Sequence, residues 1–224
     1  SDVKFIIGPD TSSGSLACVN TADKEKIPMI TPYGTNPDIT VDPSSKQVHP
    51  YVFRTAFIDT FQGKVMADFA VTNLKAKTAA IYVDNSSDYA KGLQKFFVDE
   101  FGAKGGQVVS EEAYLQKDTD FKAALTKIKA ANPDIIFVPG YYQEVGMIVK
   151  QARKLGITQP IVGGDGWDSA KLIEIAGADM RIAHLFITFA TGDQTRLRMH
   201  FQAIKAKQHF HTCIFQAVCP FDVG

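Results

Sequence analysis

The sequence of 224 residues lacks a charge excess, a cysteine framework and a long apolar run. Its 24 Lys and Arg residues balance 24 Asp and Glu residues, so no general field draws the chain to nucleic acid or to an anionic membrane. The three cysteines are an odd number, which argues against a disulfide scaffold. No apolar run approaches the roughly 20 residues that span a bilayer. A hydrophobic content of 45% is ordinary for a globular protein.

The sequence also lacks the short motifs that mark common nucleotide and hydrolase sites. No GxxxxGK[ST] is present, which excludes a P-loop, and no GxGxxG follows a predicted strand, which disfavours a dinucleotide site. No GxSxG is present for a hydrolase nucleophile. His209, His211 and Cys213, with Cys219 nearby, could bind zinc in principle, but the weak periodicity of this segment argues against it. We therefore expect no cofactor and no metal.

What the sequence does contain is an alternation of apolar runs with amphipathic segments. Runs such as TAAIYV (78–83) and IIFV (135–138) have the uniform hydrophobicity of strands that are buried on both faces. Apolar residues between the runs recur at helical spacing, as at Leu93, Phe97 and Phe101. This alternation predicts an α/β fold with parallel sheets covered by helices. The predicted strands include 3–7, 27–30, 52–57, 78–83, 135–138, 161–162 and 185–189, and the predicted helices include 13–26, 61–74 and 169–175.

Two connections are predicted from local composition. Residues 31–50 are rich in Pro, Gly, Asn, Asp and Ser and form a long loop, which with the Arg54-Thr55 segment could cross between two sheets. Asp118 or Thr119 is predicted to cap a helix whose apolar stripe is Phe121, Leu125 and Ile128.

The residues that directly follow the predicted strands have a shared chemical character. Ligands bind outside the carboxyl ends of strands in open parallel sheets. Hydroxyl groups, glycines and amides near helix starts suit a carboxylate, as around Ser12 and Thr35. Asp165 is a lone acid in a glycine-rich turn and suits a cation. The aromatic residues that could wall an apolar or cationic group are Tyr89, Tyr141, Tyr142 and Trp167. Carboxylate, ammonium and apolar group together describe an amino acid.

Each of these residues also has a purely structural interpretation. Ser12 and Ser13 are good helix caps, and capping alone would explain them. Gly34 and Thr35 could shape the turn before Asn36. Asp165 could be a solvated turn residue, and the two tyrosines at 141–142 could be packing residues. The binding interpretation depends on all of them lying at the same kind of position.

The sequence resembles a known family along most of its length. The matching stretches run in order from the start to about residue 190, and they are FIIGPDTSSGS, IPMITPYGTNPDIT, VFRTAFIDTFQG, AAIYVDNSSDYAKGL, DFKAALTKIKAANPDIIFVPGYYQEVGMIVKQARKLG and GGDGWDS. Together they resemble the type I periplasmic-binding-protein fold, and within it the branched-chain amino-acid binding proteins of bacterial ABC transporters. This resemblance implies two α/β lobes with Rossmann-like parallel sheets, joined by hinge crossings and closing on a ligand. Residues 1–57 would form part of lobe 1, residues 58–188 lobe 2, and residues 189–224 a return to lobe 1.

The resemblance also implies roles for particular residues. Ser12 and Thr35, with main chain near Gly34, would hold the α-carboxylate of the ligand. Thr35 and Asp165 would hold its α-ammonium, and Tyr89 and Tyr141 would cover it from the second lobe. From its position in GGDGWDS, Trp167 is expected to line the side-chain pocket.

Two departures from the family pattern are visible. Family members carry further βα units before this chain's first strand and a further stretch after its end, so we expect an incomplete first lobe and a chain shortened at both ends. Ser1 in place of an initiator Met agrees with this expectation. Residues 191–224 diverge from the family and are a candidate for disorder. Uncovered strand edges would make an oligomer possible.

The functional prediction is a non-catalytic solute-binding protein. It would capture leucine, isoleucine, valine or another aliphatic amino acid and deliver it to an ABC-transporter permease, in the periplasm or as a cell-surface lipoprotein of a Gram-positive bacterium. The alternative is a ligand-sensing domain of a receptor or regulator with the same fold. An α/β enzyme is a weaker alternative, because the sequence shows no coupled acid–base pair.

Overall fold

The fold alternates strands and helices, as the sequence predicts. The structure is a computed structural model that describes residues 2–177, 179, 183–187 and 200–203. The helices are α1 (Ser12–Glu25), α2 (Asp59–Thr72), α3 (Asp88–Ala103), α4 (Lys122–Ala131), α5 (Tyr142–Lys154) and α6 (Ala170–Ala176). The strands are β1 (Ile6–Ile7), β2 (Met29–Thr31), β3 (Val52–Arg54), β4 (Thr78–Asp84), β5 (Gln107–Tyr114), β6 (Ile135–Phe137), β7 (Ile161–Gly163), β8 (Ala183–Ile187) and β9 (His200–Ala203). No helix among these residues is long and apolar enough to cross a membrane.

The strands form two separate sheets. The small sheet has the order β1-β2-β3 and is parallel throughout. The large sheet has the order β5-β4-β6-β7-β8-β9, and β9 alone pairs antiparallel, with β8. The predicted return of 189–224 to the first lobe stays a prediction; of these residues the structure describes β9, which lies at the edge of the large sheet. The other residues of the predicted return lie outside the described part of the chain.

The large sheet is covered on both faces, which confirms the interpretation of its apolar strands. Side chains alternate along β4, because successive residues of a strand point to opposite faces. Ala79, Ile81 and Val83 pack with helices α2 and α3. Ala80 and Tyr82 pack on the other face with α4, α5 and α6. Packing on both faces holds the strands in place and so sets the position of their carboxyl ends.

The small sheet is covered by helix α1. Val19 and Ala22 of the helix pack with Met29, Ile39 and Val52 in a separate core. Large apolar side chains elsewhere on this sheet remain exposed, including Ile7 at 79% and Phe53 at 51%.

The predicted loop 31–50 does not cross between the two sheets, because it joins β2 to β3 within the small sheet. Within this loop, Pro37–Ile39 forms a 3-10 helix that is capped by Asn36, whose side-chain oxygen accepts from Asp38 N–H. The Arg54 guanidinium donates to the carbonyl of Asn36 at 2.7 Å and to the hydroxyl of Thr40 at 2.5 Å. These bonds tie the loop to β3, and the chain then crosses to helix α2.

Two predicted helix caps are wrong. Helix α4 begins after Phe121 without a side-chain cap, and Asp118 instead accepts a hydrogen bond from the main-chain N–H of Leu115. Helix α1 is capped by the Thr11 hydroxyl, which accepts from Gly14 N–H at 3.1 Å. The second correction affects the site, because it leaves the hydroxyl groups of Ser12 and Ser13 free for other contacts.

The packing of α2 against α3 generates a stability prediction. A Cβ at Gly63 would lie 2.6 Å from Phe96 Cβ and 2.8 Å from the main-chain nitrogen of Phe97. Gly63→Ala should therefore lower the free energy of unfolding by about 1–3 kcal/mol, despite the helix propensity of Ala. Gly102→Ala is the matched control, because a Cβ there meets nothing within 4 Å. It should stabilise α3 by up to roughly 1 kcal/mol. Urea unfolding of both variants measures the difference, and equal effects would contradict this packing.

Candidate functional site

A cavity of about 530 Å³ lies where the carboxyl ends of the two sheets face each other. This is the position that the topology of parallel sheets predicts for a ligand. Both sheets contribute to its wall, and so do the starts of several helices. The lining residues are Asp10, Thr11, Ser12, Tyr33, Thr35, Tyr89, Gln116, Lys117, Tyr141, Tyr142, Gln143, Glu144, Asp165, Gly166 and Asp168. Five of the seven predicted site residues are therefore brought together.

Asp165 is held by a hydrogen-bond network from two helices. Gln62 Nε2 and the Tyr89 hydroxyl both donate to Asp165 Oδ1, at 2.8 and 2.7 Å. Gln62 Oε1 accepts from the main-chain N–H of Asp165 at 2.7 Å, and the Tyr89 oxygen accepts from Gly166 N–H at 3.0 Å. Both side-chain hydrogen bonds go to Oδ1, which leaves Oδ2 available to a ligand. This network argues against the interpretation of Asp165 as a solvated turn residue.

The electrostatics of this network are set by burial. Removal of water raises the pKa of Asp165, and the hydrogen bonds from Gln62 and Tyr89 oppose that rise. Burial also raises the pKa of Tyr89 well above its usual value, and the neighbouring Asp165 adds to the effect. Tyr89 consequently stays a hydrogen-bond donor at every physiological pH. A buried carboxyl group with raised pKa in a cleft is a typical binding or catalytic group.

The two glycines around Asp165 are required because other atoms of the protein lie close to this turn. A Cβ at Gly164 would lie 2.4 Å from Gln62 Oε1 and 2.6 Å from the Tyr89 oxygen. A Cβ at Gly166 would lie 2.6 Å from the carbonyl oxygen of Gly140. The glycines thus let the Asp165 turn approach Gln62 and Tyr89 closely enough to form the network.

The opposite wall of the cavity is the start of helix α1. Ser12 is 2% exposed, and its hydroxyl accepts from Asn36 N–H at 3.2 Å. The positive end of the helix dipole and the nearby hydroxyls suit a carboxylate. Thr35 is also buried and lies beside this wall. An anionic group near α1 and a cationic group near Asp165 would fit the cavity at the same time.

Hydrogen bonds across the cleft join the small-sheet part of the chain to helix α3. The Ser13 hydroxyl accepts from Asp88 N–H at 3.0 Å, and Asn36 Nδ2 donates to the carbonyl of Asp88 at 3.0 Å. At the crossing, the main-chain N–H of Asp59 donates to the carbonyl of Thr35 at 2.9 Å. These bonds link the two sides of the cavity directly.

The aromatic side of the cavity is formed by Tyr89 and Tyr141. Their ring centroids are 5.3 Å apart and the rings are tilted by 31°. Burial raises the pKa of Tyr141, so its hydroxyl stays neutral too. The pair offers apolar ring faces and the Tyr141 hydroxyl to one ligand, because the Tyr89 hydroxyl already donates to Asp165.

Two predicted site residues lie outside the cavity wall. Trp167 is 0% exposed and its indole Nε1 donates to the carbonyl of Val138 at 3.1 Å. Its ring fills the space over Gly163, where a Cβ would lie 2.0 Å away, so the structure corrects the expectation that Trp167 lines a pocket. The N–H and carbonyl of Gly34 are bonded to Thr31 and Arg54. Gly34 therefore shapes the loop under Thr35.

Several residues of the site were not predicted. Gln62 lies within a predicted helix, and Asp59 lies just before it. Their spacing of three positions, at the start of a helix that follows a crossing, was the available signal. Lys117 and Glu144 also line the cavity, and Lys117 N–H donates to Glu144 Oε1 at 2.9 Å. Within the described ranges no cluster of His, Cys, Asp or Glu could hold a metal ion, and the zinc alternative at 209–219 lies outside those ranges.

The fold and the site agree with a family assignment. A family model described as periplasmic binding protein matches residues 1–207. The chain therefore belongs to the periplasmic binding protein family, as the resemblance implied.

The names of curated relatives describe them as binding proteins for branched-chain amino acids. The Leu/Ile/Val-binding protein BraC3 of Rhizobium johnstonii is 33% identical over 164 residues, which is 73% of this chain and 43% of the relative. The leucine-, isoleucine-, valine-, threonine- and alanine-binding protein of Pseudomonas aeruginosa is 31% identical over 178 residues, 78% of this chain and 45% of the relative. The chain thus spans less than half the length of these relatives.

Solved structures give the same assignment. The leucine-binding protein LivK from Thermotoga maritima superposes with a TM-score of 0.77 at 40% identity, over 84% of this chain and 51% of that one. The substrate-binding protein LivJ from Streptococcus pneumoniae, solved with isoleucine, superposes with a TM-score of 0.74 at 39% identity, over 85% of this chain and 53% of that one. The two-lobed type I fold is therefore the fold of this family.

The network around Asp165 generates the second prediction. Gln62→Ala removes both partners that Gln62 gives to the buried Asp165 turn and leaves its main-chain N–H unbonded. An unpaired buried group costs about 1–3 kcal/mol, and we expect that loss in the free energy of unfolding. Gln94→Ala is the control, because Gln94 donates to Glu111 on the surface at 3.1 Å. It should change stability by less than about 0.5 kcal/mol. Denaturant unfolding of ligand-free variants tests this, and equal stability of the two would contradict a structural role for Gln62.

Proposed function

We propose that this chain is part of an extracytoplasmic solute-binding protein that captures a branched-chain or other aliphatic amino acid. The supporting observation is the partly buried carboxyl group of Asp165, which faces the cavity opposite the start of helix α1. An ammonium group that enters a closed cleft loses its hydration and needs a compensating charge. Asp165 supplies that charge, and the α1 wall supplies the partner for a carboxylate. The relatives' names and the isoleucine in LivJ point to the same ligand class.

The proposed pose follows from the two walls. The ligand carboxylate lies at Ser12 and Thr35, and the ammonium lies between Thr35 and Asp165 Oδ2. Tyr89 and Tyr141 cover the ligand. A volume of about 530 Å³ suits a small organic ligand, since such sites span roughly 300–1,000 Å³.

The protein acts by binding and closure. The hydrogen bonds that join Ser13 and Asn36 to the main chain of Asp88 form only when the two sides of the cleft meet, so a ligand that bridges the walls favours the closed form. We propose that an ABC-transporter permease recognises this closed form outside the cytoplasm. The family consists of binding proteins, and we propose that the chain has no enzymatic activity. Steady turnover of an amino-acid derivative, abolished by a cleft mutation, would contradict that proposal.

The central test of the proposed function is the charge of Asp165. Asp165→Asn keeps the shape of the side chain and removes its charge. Removal of one partner of a desolvated charge pair costs about 2–5 kcal/mol, so we expect leucine affinity to fall by roughly thirtyfold or more. Fold stability should change little, because the amide oxygen can still accept from Gln62 and Tyr89.

Asp168→Asn is the matched control for this experiment. Asp168 lines the same cavity but lies outside the network of Gln62 and Tyr89. Its substitution should change leucine affinity by less than about threefold, as expected for a partly exposed charge. Titration calorimetry measures both affinities, with thermal melts of the ligand-free variants alongside. Equal losses of leucine affinity in the two variants would contradict a specific role for Asp165 in binding the ammonium group.

A further inference from the structure

Asp59 is a buried acid in the first turn of helix α2. It is the first residue of helix α2 and is 0% exposed, yet neither carboxyl oxygen has a hydrogen-bond partner among the described residues. Its position in the first helical turn is favourable for an acid, but that effect is small and does not require burial. Buried polar groups are almost always hydrogen-bonded, so an exception of this kind needs a reason.

Asp59 lies directly behind the ligand cavity. The Thr35 hydroxyl lies beside its carboxyl group and opposes the rise in its pKa, although the two groups do not reach full hydrogen-bond geometry. Thr35 itself lines the cavity, whereas Asp59 does not. A change of charge on Asp59 would therefore be felt at the ligand through Thr35.

Four charged or titratable groups lie around Asp59, and they come from four different parts of the fold. Asp165 follows β7 and raises the pKa of Asp59, and Arg54 on β3 lowers it. Tyr89 on α3 and Tyr141 before α5 also feel the charge of Asp59. Arg54 forms no ion pair with Asp59, since its guanidinium donates to the 34–40 loop.

The balance of these groups leaves Asp59 protonated in the ligand-free site. Burial is the largest cause and Asp165 adds to it, and together they raise the pKa of Asp59 to about 8. A cation placed next to Asp165 would offset the repulsion between the two carboxyl groups. The α-ammonium of an amino acid is such a cation.

We propose that Asp59 is a positioning residue of the site, which acts through Thr35 and releases its proton to solvent when the ammonium group of a ligand settles next to Asp165. This inference rests on the proposed function, because it requires a cationic ligand group. The ionised Asp59 then accepts from the Thr35 hydroxyl and orients its oxygen toward the ammonium. The site gains a second negative charge only when a positive charge is present, which favours zwitterions over plain carboxylates.

The direction of the pH dependence follows from this proton release. Binding that releases a proton becomes tighter as pH rises, until the proton is already absent from the free protein at about pH 8. Leucine affinity should therefore increase from about pH 6 to pH 8, by at most roughly tenfold per pH unit for one proton. In Asp59→Asn this dependence should disappear, and binding should be weaker than that of the wild type at the upper end.

The deciding experiment is titration calorimetry of leucine at pH 7 in phosphate and in Tris, whose heats of ionisation differ. The wild-type chain should show a buffer-dependent enthalpy that corresponds to release of a large fraction of a proton. Asp59→Asn should show no such dependence. Asp68→Asn is the matched control on the same helix, because Asp68 is a surface partner of Lys104 and should behave as the wild type.

Every outcome of this experiment is informative. Binding by the wild type without proton release would overturn the role of Asp59 and leave the proposed function standing. Proton release that persists in Asp59→Asn would assign the proton to another group and also overturn it. Failure of leucine, isoleucine and valine to bind the wild type would overturn both proposals.

A second measurement covers the case in which Asp59→Asn does not fold. Carboxyl ¹³C NMR of the wild-type chain with labelled aspartate should show one carboxyl group that titrates near pH 8. Leucine should move that midpoint to lower pH. The absence of any carboxyl titration between about pH 6 and 9 would overturn the inference.

Discussion

Burial of carboxyl groups at the meeting point of two sheets is the constraint on which the rest of this site depends. A carboxylate removed from water is costly unless it is hydrogen-bonded or paired with a cation. Asp165 meets that condition in part, because Gln62 and Tyr89 donate hydrogen bonds to Oδ1, and Oδ2 is left for a ligand. Asp165 is therefore the acidic partner of an ion pair, and a cationic ligand group supplies the other partner. Pairing with that group offsets the desolvation cost of the carboxylate, so the carboxylate favours the binding of a cationic ligand.

The position of each network member follows from where its helix begins. Gln62 lies in the first turn of α2 and Tyr89 in the first turn of α3, so both reach the cavity from helix starts. Gly164 and Gly166 let the Asp165 turn come close to both. The crossing after β3 brings α2 to this point, and Asn36 and Ser13 join the other side of the cleft to α3.

The sequence predicted the fold and several residues that line the candidate cavity, because strand ends in parallel sheets are recognisable. Uniformly apolar runs such as 78–83 located the strands, and Asp165 and Tyr141 followed from the residues after them. The choice of cap at Thr11-Ser12-Ser13 could not be made, because three adjacent hydroxyls are all good caps and only the contacts with Asn36 and Asp88 decide between them. Trp167 was assigned to the pocket from its neighbour Asp165, but the 3-10 turn directs its ring into the core.

The acids and amides that act from behind the cavity were the hardest to predict. Nothing in the local sequence of Asp59 distinguishes it from a surface acid at a helix start, which is the commoner case. Its burial arises from the crossing and from the close packing of α2 on α3, both of which are tertiary features. Gln62 was hidden for the same reason, since its partner Asp165 is 103 positions away along the chain.

The most direct test of a site built for a zwitterion is a comparison of leucine with its two halves by titration calorimetry. 4-Methylpentanoate lacks the ammonium group, and 3-methylbutylamine lacks the carboxylate. Each loses one desolvated charge interaction worth about 2–5 kcal/mol, so we expect leucine to bind at least roughly thirtyfold more tightly than either. Binding of 4-methylpentanoate as tight as that of leucine would contradict the role of the buried acids.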